Sequence, residues 1–334
     1  MARIQLGHTL HDIISSENML AAWKEFLRGK KNKPDVQEFS LRLMDHILHT
    51  IDELANKRYT HGPYYAFNIS DPKPRNIHKA TVKDRLLHHA IYRILYPFFD
   101  KTFIADSYSC RKNKGTHKAM ERFKYFFRKV SDNTTRTCFV LKCDVKKFFA
   151  TIDHSVLVEI LKQYIPDRDI IWFLEKIISS FHSYEQGKGL PLGNLTSQLL
   201  VNIYMNEFDQ WMKRELQAKY YIRYADDFVI MSDDKKYLEE MIPKVKGFLE
   251  ERLKLSLHPD KVYIKTFASG VDFLGWVHFP HHRVLRTATK RKMLRRLGNN
   301  PKKETIQSYF GLISHGNTHT LKADIQEMIR SSEC

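Results

Sequence analysis

Acidic residues stand at the ends of two strand-like segments of this sequence. Asp144 closes the apolar, β-branched run TCFVLKC, and Asp226 and Asp227 separate the apolar runs Tyr220–Tyr224 and Phe228–Met231. The second arrangement is typical of a β-hairpin with acidic residues at its tip. Phosphoryl transfer from a nucleoside triphosphate uses two divalent cations about 3.5–4 Å apart, and carboxylates on rigid strands are the hard oxygen ligands that hold them. The pattern therefore indicates a metal-dependent site for nucleotidyl transfer.

An Asp pair is also a common feature of turns, because short polar side chains stabilise turns and cap helices. Asp233 and Asp234, just before the helix predicted to begin at Lys235, illustrate that use. The acidic pair at 226 and 227 therefore needs support from the segments around it.

Seven segments of the chain, between residues 71 and 277, resemble the sequence motifs of reverse transcriptases and occur in the order of that family. YIRYADDFVIM contains Tyr224-Ala225-Asp226-Asp227, which is similar to the YxDD box, and LKCDVKKFFATIDH resembles the first carboxylate motif. The other segments are DPKPRNIHKATVKDR, SYSCRKNKGTH, GLPLGNLTSQ, LSLHPDKVYI and VDFLGW, with further similarity in QSYFGLISHGNTHTL near the C-terminus. So many ordered segments exclude chance similarity.

The resemblance implies a role for each carboxylate. Asp144 and Asp226 are then the metal ligands, Asp227 is a supporting third carboxylate, and the main-chain carbonyl of Val145 completes the coordination. The implied cofactor is a pair of Mg²⁺ ions, with Mn²⁺ as an alternative. The implied activity is that of an RNA-directed DNA polymerase.

The resemblance also implies contacts with the incoming nucleotide and the primer. Phe149 falls where the family has an aromatic steric gate against the ribose 2′-hydroxyl, so the implied substrates are dNTPs. The remaining implied nucleotide contacts are Lys73, Arg75, Leu192, Gly193, Gln198 and Lys261. The implied primer grip consists of Phe273, Leu274, Gly275 and Trp276. Lys79 lies in the same fingers segment as Lys73 and Arg75, and Arg111 is an implied contact of template phosphate. Core packing is the plain alternative for Phe149 and the primer-grip segment. Solvent exposure is the alternative for Lys79 and Lys261, and a structural ion pair is the alternative for Arg111.

The charge and the cysteines limit the class of protein. The sequence contains 55 Lys and Arg against 38 Asp and Glu, a formal charge of +17, which favours a polyanionic partner such as nucleic acid. The cysteines have no zinc-like spacing, and we find neither an export signal nor a stretch of roughly 18 apolar residues that would span a membrane. We therefore expect a cytoplasmic protein with no membrane association.

The apolar periodicity predicts the elements that must position these residues. Residues 1 to about 100 are expected to be mostly helical, with a hairpin or loop at Ser70–Ala80. The elements expected after them are a strand at Thr137–Val145, helices at His154–Tyr164, Ile170–Phe181, Thr196–Gln217 and Lys235–Leu253, and strands at Val262–Lys265 and Val271–Val277. The resemblance implies an α+β right-hand polymerase, with fingers at 1–136 and 156–198, a palm with an antiparallel sheet at 137–281, and a basic helical thumb at 282–334.

The residues after Gly193 bear on the type of reverse transcriptase. Mobile-intron and retron enzymes usually have Ser-Pro where this chain has Ser197-Gln198, and the spacing from Gly193 resembles the enzymes of diversity-generating retroelements. Those enzymes copy a dedicated noncoding RNA with frequent errors opposite adenine. The implied partners are an RNA template, an RNA/DNA primer-template duplex, dNTPs and an accessory protein or structured RNA.

Several alternatives remain open from the sequence. A phage-defence or group II intron-like reverse transcriptase shares many of these motifs, although we expect no ribonuclease H or endonuclease domain here. A non-catalytic RNA-binding protein would have no need for Asp144, Asp226 and Asp227 together. An RNA-dependent RNA polymerase would share the carboxylates, but it usually has a GDD-type box and no aromatic gate.

Overall fold

The computed structural model describes residues 3–70, 74–298 and 301–333. The N-terminal elements are α1 (Leu10–Ile14), α2 (Ser16–Phe26), α3 (Pro34–Leu41), α4 (Leu43–Ala55), β1 (Tyr65–Ile69), β2 (Arg75–Lys79), α5 (Val82–Asp100) and α6 (Thr116–Val130). The middle elements are β3 (Phe139–Asp144), α7 (Phe148–Thr151), α8 (His154–Lys162), α9 (Arg168–Ile178), α10 (Leu195–Arg214), β4 (Tyr221–Tyr224), β5 (Asp227–Ser232) and α11 (Lys235–Leu253). The C-terminal elements are β6 (Tyr263–Thr266), β7 (Val271–Phe273), β8 (Trp276–His278), β9 (Arg283–Leu285), α12 (Thr287–Leu297), α13 (Lys303–Ile313) and α14 (His319–Glu333).

The N-terminal region is helical, as predicted, and it carries one hairpin. Helix α5 begins after Thr81, whose side chain accepts a hydrogen bond from the backbone N–H of Asp84, an N-cap that satisfies one free donor of the first turn. Helices α2 and α5 pack together along their apolar faces. Strands β1 and β2 pair antiparallel, with Tyr65 opposite Lys79 and Ile69 opposite Arg75. The hairpin or loop predicted at Ser70–Ala80 is therefore a hairpin, and its first strand lies before that range.

A four-stranded antiparallel sheet in the order β4-β5-β3-β6 forms the centre of the molecule. Strand β3 is internal, and residues Val140–Cys143 are buried because both faces of the sheet are covered. Leu141 and Cys143 face the large core formed with α10 and α11, whereas Val140 faces α6 through a second cluster. An internal strand covered on both faces has solvent access mainly at its ends.

Helices after β3 follow the predicted order. The Asp153 side chain accepts a hydrogen bond from the N–H of Val156 and caps α8, as expected from the sequence. Helix α11 has the predicted bounds and is capped by Asp234, which accepts from the N–H groups of Lys236 and Tyr237. Asp234 therefore has the capping role that its position indicated.

The continuous strand predicted at Val271–Val277 is wrong. This segment forms two short strands, β7 and β8, joined by a turn in which Leu274 has φ +52° and Gly275 has φ +89°. Glycine adopts positive φ at little cost, so this pair reverses the chain where an apolar run favoured its continuation. Strand β9 then pairs with β8, so the helices of the C-terminal region begin at Thr287, five residues after the start of the helical thumb predicted at 282–334.

The C-terminal helices α12, α13 and α14 pack around a small apolar cluster that includes Trp276. The loop after α13 lies directly on this indole, because a Cβ atom built on Gly316 would lie 2.0 Å from Cζ3 of Trp276. The backbone N–H of Asn317 also donates to the carbonyl of Arg283 at 2.8 Å. The absence of a side chain at 316 thus lets the loop 314–317 approach β8 and β9.

We predict that Gly316→Ala destabilises the protein by about 1–3 kcal/mol, because the methyl group overpacks the contact with Trp276. Urea titration measures the free energy of unfolding. Gly311→Ala in α13 is the control, since its Cβ would meet no atom within 4 Å and Ala favours a helix. Equal stabilities of wild type and Gly316→Ala would contradict the close contact.

Candidate active site

The predicted carboxylates lie at one end of the central sheet. Asp144 is the last residue of β3, and it is the cross-strand partner of Asp227, the first residue of β5. Asp226 lies in the turn between β4 and β5, and its carbonyl accepts a hydrogen bond from the N–H of Val145 at 3.1 Å. The turn also contains Ala225, whose φ of +55° is uncommon for a residue other than glycine. The structure therefore brings Asp144, Val145, Asp226 and Asp227 together, as the sequence predicted.

Lysine side chains pair with two of these carboxylates. Nζ of Lys261 lies 3.0 Å from Oδ1 of Asp144, and Nζ of Lys142 lies 3.1 Å from Oδ2 of Asp227. Burial raises the pKa of Asp227 to about 6, while the Lys142 ammonium opposes the rise and the charges of Asp226 and Asp144 add to it. The end of the sheet thus concentrates negative charge that nearby cations partly neutralise.

The oxygen atoms at this end suit a divalent cation. Oδ1 of Asp227 is buried and has no hydrogen-bond partner among the described residues, and such carboxylate oxygens are the ligands that Mg²⁺ prefers. In the described part of the chain, however, no three His, Cys, Asp or Glu side chains are gathered into a metal-binding group. Metal binding by Asp144, Val145, Asp226 and Asp227 therefore stays a prediction. When bound, the cations would activate the primer 3′-oxygen and neutralise the leaving pyrophosphate.

A buried arginine holds the acidic turn in place. Arg223 in β4 is completely buried, and its Nε and Nη2 donate to the two carboxylate oxygens of Asp209 in α10 at 2.8 and 2.6 Å. Its Nη1 donates to the carbonyl of Ala225 at 3.1 Å, and its Nη2 donates to the hydroxyl of Ser107 at 3.1 Å. Sequence reasoning missed this group, although a charged residue inside the apolar run YIRY was a signal of a buried partner.

The loop before α10 contacts the N-terminal hairpin. The N–H of His78 in β2 donates to the carbonyl of Leu192 at 2.9 Å, and the amide of Asn194 donates to the carbonyl of His78 at 2.9 Å. Gly193 has φ +103°, and a Cβ atom there would lie 2.7 Å from Cγ2 of Ile77. The predicted residues Leu192 and Gly193 thus form the surface on which the hairpin rests, and Asn194 was missed.

Other predicted nucleotide contacts differ in their surroundings. Phe149 in α7 is half-buried, and its ring packs edge to face against Phe148 with ring centroids 5.6 Å apart. Part of the ring therefore packs against the core, as the alternative to a steric gate requires. Gln198 is half-buried in the first turn of α10, and Arg75 is exposed at the start of β2. Lys73 lies outside the described residues.

Two further cations from the motifs take part in structural ion pairs. Lys79 lies 2.7 Å from Asp35, and Arg111 lies 2.7 Å from Asp100, with additional hydrogen bonds from Arg111 to the carbonyls of Ile104 and Ser107. The contacts of Arg111 agree with its alternative role in a structural ion pair, whereas Lys79, for which the alternative was a solvated surface lysine, is paired with Asp35.

The predicted primer-grip segment is the β7–β8 turn. Phe273 and Trp276 are buried on either side of it, while Leu274 and Gly275 make the turn itself. Phe273 stacks on Phe123 of α6 with ring centroids 4.8 Å apart. Core packing therefore accounts for the two aromatic rings, and a role in holding a primer stays a prediction for the segment.

An antiparallel sheet with acidic residues at one end, a hairpin against the loop beside it and a basic helical region define the class of right-hand polymerases. Residues 70–278 match the family described as reverse transcriptase (RNA-dependent DNA polymerase), so the chain belongs to that family. The expected RNA-directed DNA polymerase is thereby confirmed at the level of the family, whose members generally use divalent metal ions.

Similar proteins support this assignment. Protein YkfC of Escherichia coli (strain K12) is 27% identical over 292 residues, which cover 76% of this chain and 74% of YkfC. Group II intron-encoded protein LtrA of Lactococcus lactis subsp. cremoris is 22% identical over 282 residues, covering 64% of this chain and 45% of LtrA. The putative COX1/OXI3 intron 1 protein of Saccharomyces cerevisiae is 27% identical over 226 residues, covering 65% of this chain and 25% of that protein. The chain thus spans less than half the length of the two intron proteins.

Solved structures confirm the fold. Telomerase from Candida albicans matches with a TM-score of 0.51 and 11% identity, over 73% of this chain and 51% of the telomerase chain. Apo telomerase from Candida tropicalis matches with a TM-score of 0.52 and 13% identity, over 69% and 55% of the two chains. The α+β right-hand polymerase architecture is therefore confirmed, while the division into fingers, palm and thumb at the predicted residues stays a prediction. None of the described helices combines the length and the apolar character needed to cross a bilayer.

We predict that Asp209→Asn lowers the free energy of unfolding by about 3–5 kcal/mol, because it leaves the guanidinium of Arg223 buried without its counter-charge. Urea titration provides the measurement. Glu239→Gln is the control, since it breaks the exposed pair with Lys235 in α11 and should cost less than about 0.5 kcal/mol. Similar losses in both variants would contradict the supporting role of the Arg223–Asp209 pair.

Proposed function

We propose that this chain is an error-prone reverse transcriptase that copies a dedicated noncoding RNA, as the enzymes of diversity-generating retroelements do. The observation that carries the proposal is the position of Gln198. This side chain is half-buried in the first turn of α10, four residues after Asn194, whose amide binds the N-terminal hairpin. Gln198 is therefore close in sequence to Leu192 and Gly193, the other predicted contacts of the nucleotide.

The backbone at Gln198 distinguishes it from the proline of mobile-intron enzymes. Its N–H donates to the carbonyl of Asn194 at 3.4 Å, a hydrogen bond that proline cannot form. Its side-chain amide also has hydrogen-bond donors and an acceptor. We propose that this amide lies beside the base pair between the template and the incoming nucleotide. We infer that these groups make pairing with the template less strict, with hydrogen bonding to the neighbouring backbone as the alternative role.

The catalytic assignment belongs to the same proposal. Asp144 and Asp226 would hold two Mg²⁺ or Mn²⁺ ions, Asp227 would support them, and the carbonyl of Val145 would complete the ligands. Phe149 excludes the ribose 2′-hydroxyl, so dNTPs are the substrates. Supporting features are the register that pairs Asp144 with Asp227 and the buried, unpaired Oδ1 of Asp227 within the described residues.

The positive charge of the chain supports the proposed nucleic-acid partners. The formal charge of +17 favours phosphate contacts, and α12 has an exposed basic surface formed by Lys290, Arg291, Arg295 and Arg296. We propose that the RNA/DNA duplex lies between this surface and the central sheet. An accessory protein is part of the proposal and rests on the resemblance alone. A cytoplasmic location is also part of it and rests on the cysteine pattern.

A group II intron-like reverse transcriptase is the second candidate function. The similarity to LtrA and to the yeast intron protein favours it. In that case the template is an intron RNA, and the chemistry of the carboxylates is the same.

We predict that Asp226→Ala abolishes DNA synthesis while the protein stays folded, because the change removes a predicted metal ligand in a half-buried turn and empties no packed apolar site. Primer extension on a primed RNA template measures the activity. Asp233→Ala is the control: it alters the acidic pair between β5 and α11 and should retain wild-type synthesis. Near-normal extension by a folded Asp226→Ala enzyme would sink the metal assignment.

The proposed error-prone synthesis predicts a particular pattern of misincorporation. The wild-type enzyme should misincorporate far more often opposite adenine than opposite the other template bases, and Gln198→Pro should reduce this ratio more than it reduces total synthesis. Sequencing of cDNA copied from a defined RNA gives both quantities. Gln210→Ala is a control on the same helix, where the amide binds the carbonyl of Thr102 at 2.8 Å. Low error at every base in the wild type would reject diversification and favour the intron-like candidate.

A further inference from the structure

Lys142 is a buried cation inside the central sheet, two residues before Asp144. It lies in β3 opposite Val229 of β5 and Tyr263 of β6, and only 7% of its surface is exposed. Lysine is seldom buried, because taking an ammonium group out of water is unfavourable unless charge and hydrogen-bond partners replace the water. The partners of Lys142 therefore indicate why this position holds a cation.

Its ammonium group bridges two separate parts of the proposed site. Nζ lies 3.1 Å from Oδ2 of Asp227, and it donates to the backbone carbonyl of Asp272 at 2.9 Å. Asp272 is in β7, directly before the turn proposed to grip the primer. One nitrogen atom thus touches both the acidic end of the sheet and the strand that leads into that turn.

The connection continues into the C-terminal helices. The carboxylate of Asp272 pairs with the guanidinium of Arg286, the residue immediately before α12. The N–H of Arg286 also donates to the carbonyl of Gly275 in the β7–β8 turn at 3.4 Å. Asp227, Lys142, Asp272 and Arg286 therefore form a continuous series of polar contacts from the carboxylates to the basic helix.

We propose that Lys142 is a positioning residue that fixes the distance between Asp227 and the primer-grip strand β7. This inference rests on the proposed polymerase function. The primer 3′-oxygen must meet the nucleotide at the carboxylates, and a misplacement of about 1 Å between reacting groups can cost about 100-fold in rate. One buried nitrogen atom of Lys142 contacts both Asp227 and the carbonyl of Asp272. A shift of either group away from this nitrogen would therefore break its contact with Lys142.

Lys261 gives a useful contrast within the same site. It also pairs with a carboxylate, Asp144, but its side chain is 47% exposed and water can replace its partner. Lys142 has a side chain that is 8% exposed and is held from both sides. Lys142 therefore joins Asp227 to β7 from a buried position.

The first test is Lys142→Met, which keeps the length of the side chain and removes its charge and donors. We expect kcat for single-nucleotide addition on a primed poly(rA) template to fall about 100-fold, with little change in the KM for dTTP. Lys265→Met is the control, since Lys265 is an exposed lysine on the neighbouring strand β6. A Lys142→Met enzyme with the wild-type kcat would overturn the proposal.

The second test separates positioning from folding. Lys142→Met leaves the buried carboxylate of Asp227 without its cation, which can destabilise the protein. The thermal midpoint of unfolding is therefore measured for each variant. The double variant Lys142→Met/Asp227→Asn removes both charges and should preserve the fold. If Lys142 acts through its ion pair with Asp227, the double variant should have the kcat of Asp227→Asn alone, because that ion pair is already lost there. A kcat reduced by the product of the two single effects would instead mean independent roles and overturn the inference.

Activity of the wild-type enzyme separates a failure of the proposed polymerase function from a failure of the role proposed for Lys142. Absence of DNA synthesis by the folded wild type on primed RNA would reject the proposed polymerase function itself. Synthesis by the wild type together with equal synthesis by Lys142→Met would reject only the role of Lys142.

Discussion

The buried ion pair between Arg223 and Asp209 is the contact on which the geometry of the acidic turn depends. Ala225 adopts a left-handed conformation that costs an L-residue about 1–2 kcal/mol, and Arg223 binds its carbonyl. The same guanidinium reaches α10 through Asp209 and the segment before α6 through Ser107. Burying these charges is itself unfavourable, so the pair is better understood as specifying one arrangement of the turn than as adding stability.

The covered faces of the central sheet explain why the chemistry is found at its end. Side chains of β3 between Val140 and Cys143 are surrounded by protein, so the strand meets solvent at Asp144. Lys142 is the polar exception within that buried stretch, and its nitrogen finds both partners near the same end of the sheet. Charges are thus balanced locally, and the rest of the buried stretch of β3 serves as a rigid apolar support.

The sequence predicted the features that depend on neighbouring residues. The strand ending at Asp144, the hairpin around Asp226, and the caps Asp153 and Asp234 all follow from short-range patterns of apolar, acidic and turn residues. The β7–β8 turn escaped prediction because Leu274, an apolar residue, adopts positive φ within an apolar run.

Long-range polar contacts escaped prediction for a different reason. Lys142 and Asp272 are 130 residues apart, and Arg223 and Ser107 are 116 residues apart, so no local pattern pairs them. A charged residue inside a strand-like run does signal a buried partner, but only the fold identifies that partner. The resemblance to a family indicated the carboxylates and left the groups that support them unassigned.

The contact between Gly193 and Ile77 has a consequence for the divergence of related sequences. A side chain at 193 would require both a left-handed backbone and room now filled by Cγ2 of Ile77. Position 193 therefore cannot gain a side chain freely on its own: a larger residue there becomes tolerable only after a smaller one at 77 has made space. The two sites are expected to show epistasis, with one order of substitutions open to evolution and the reverse order closed.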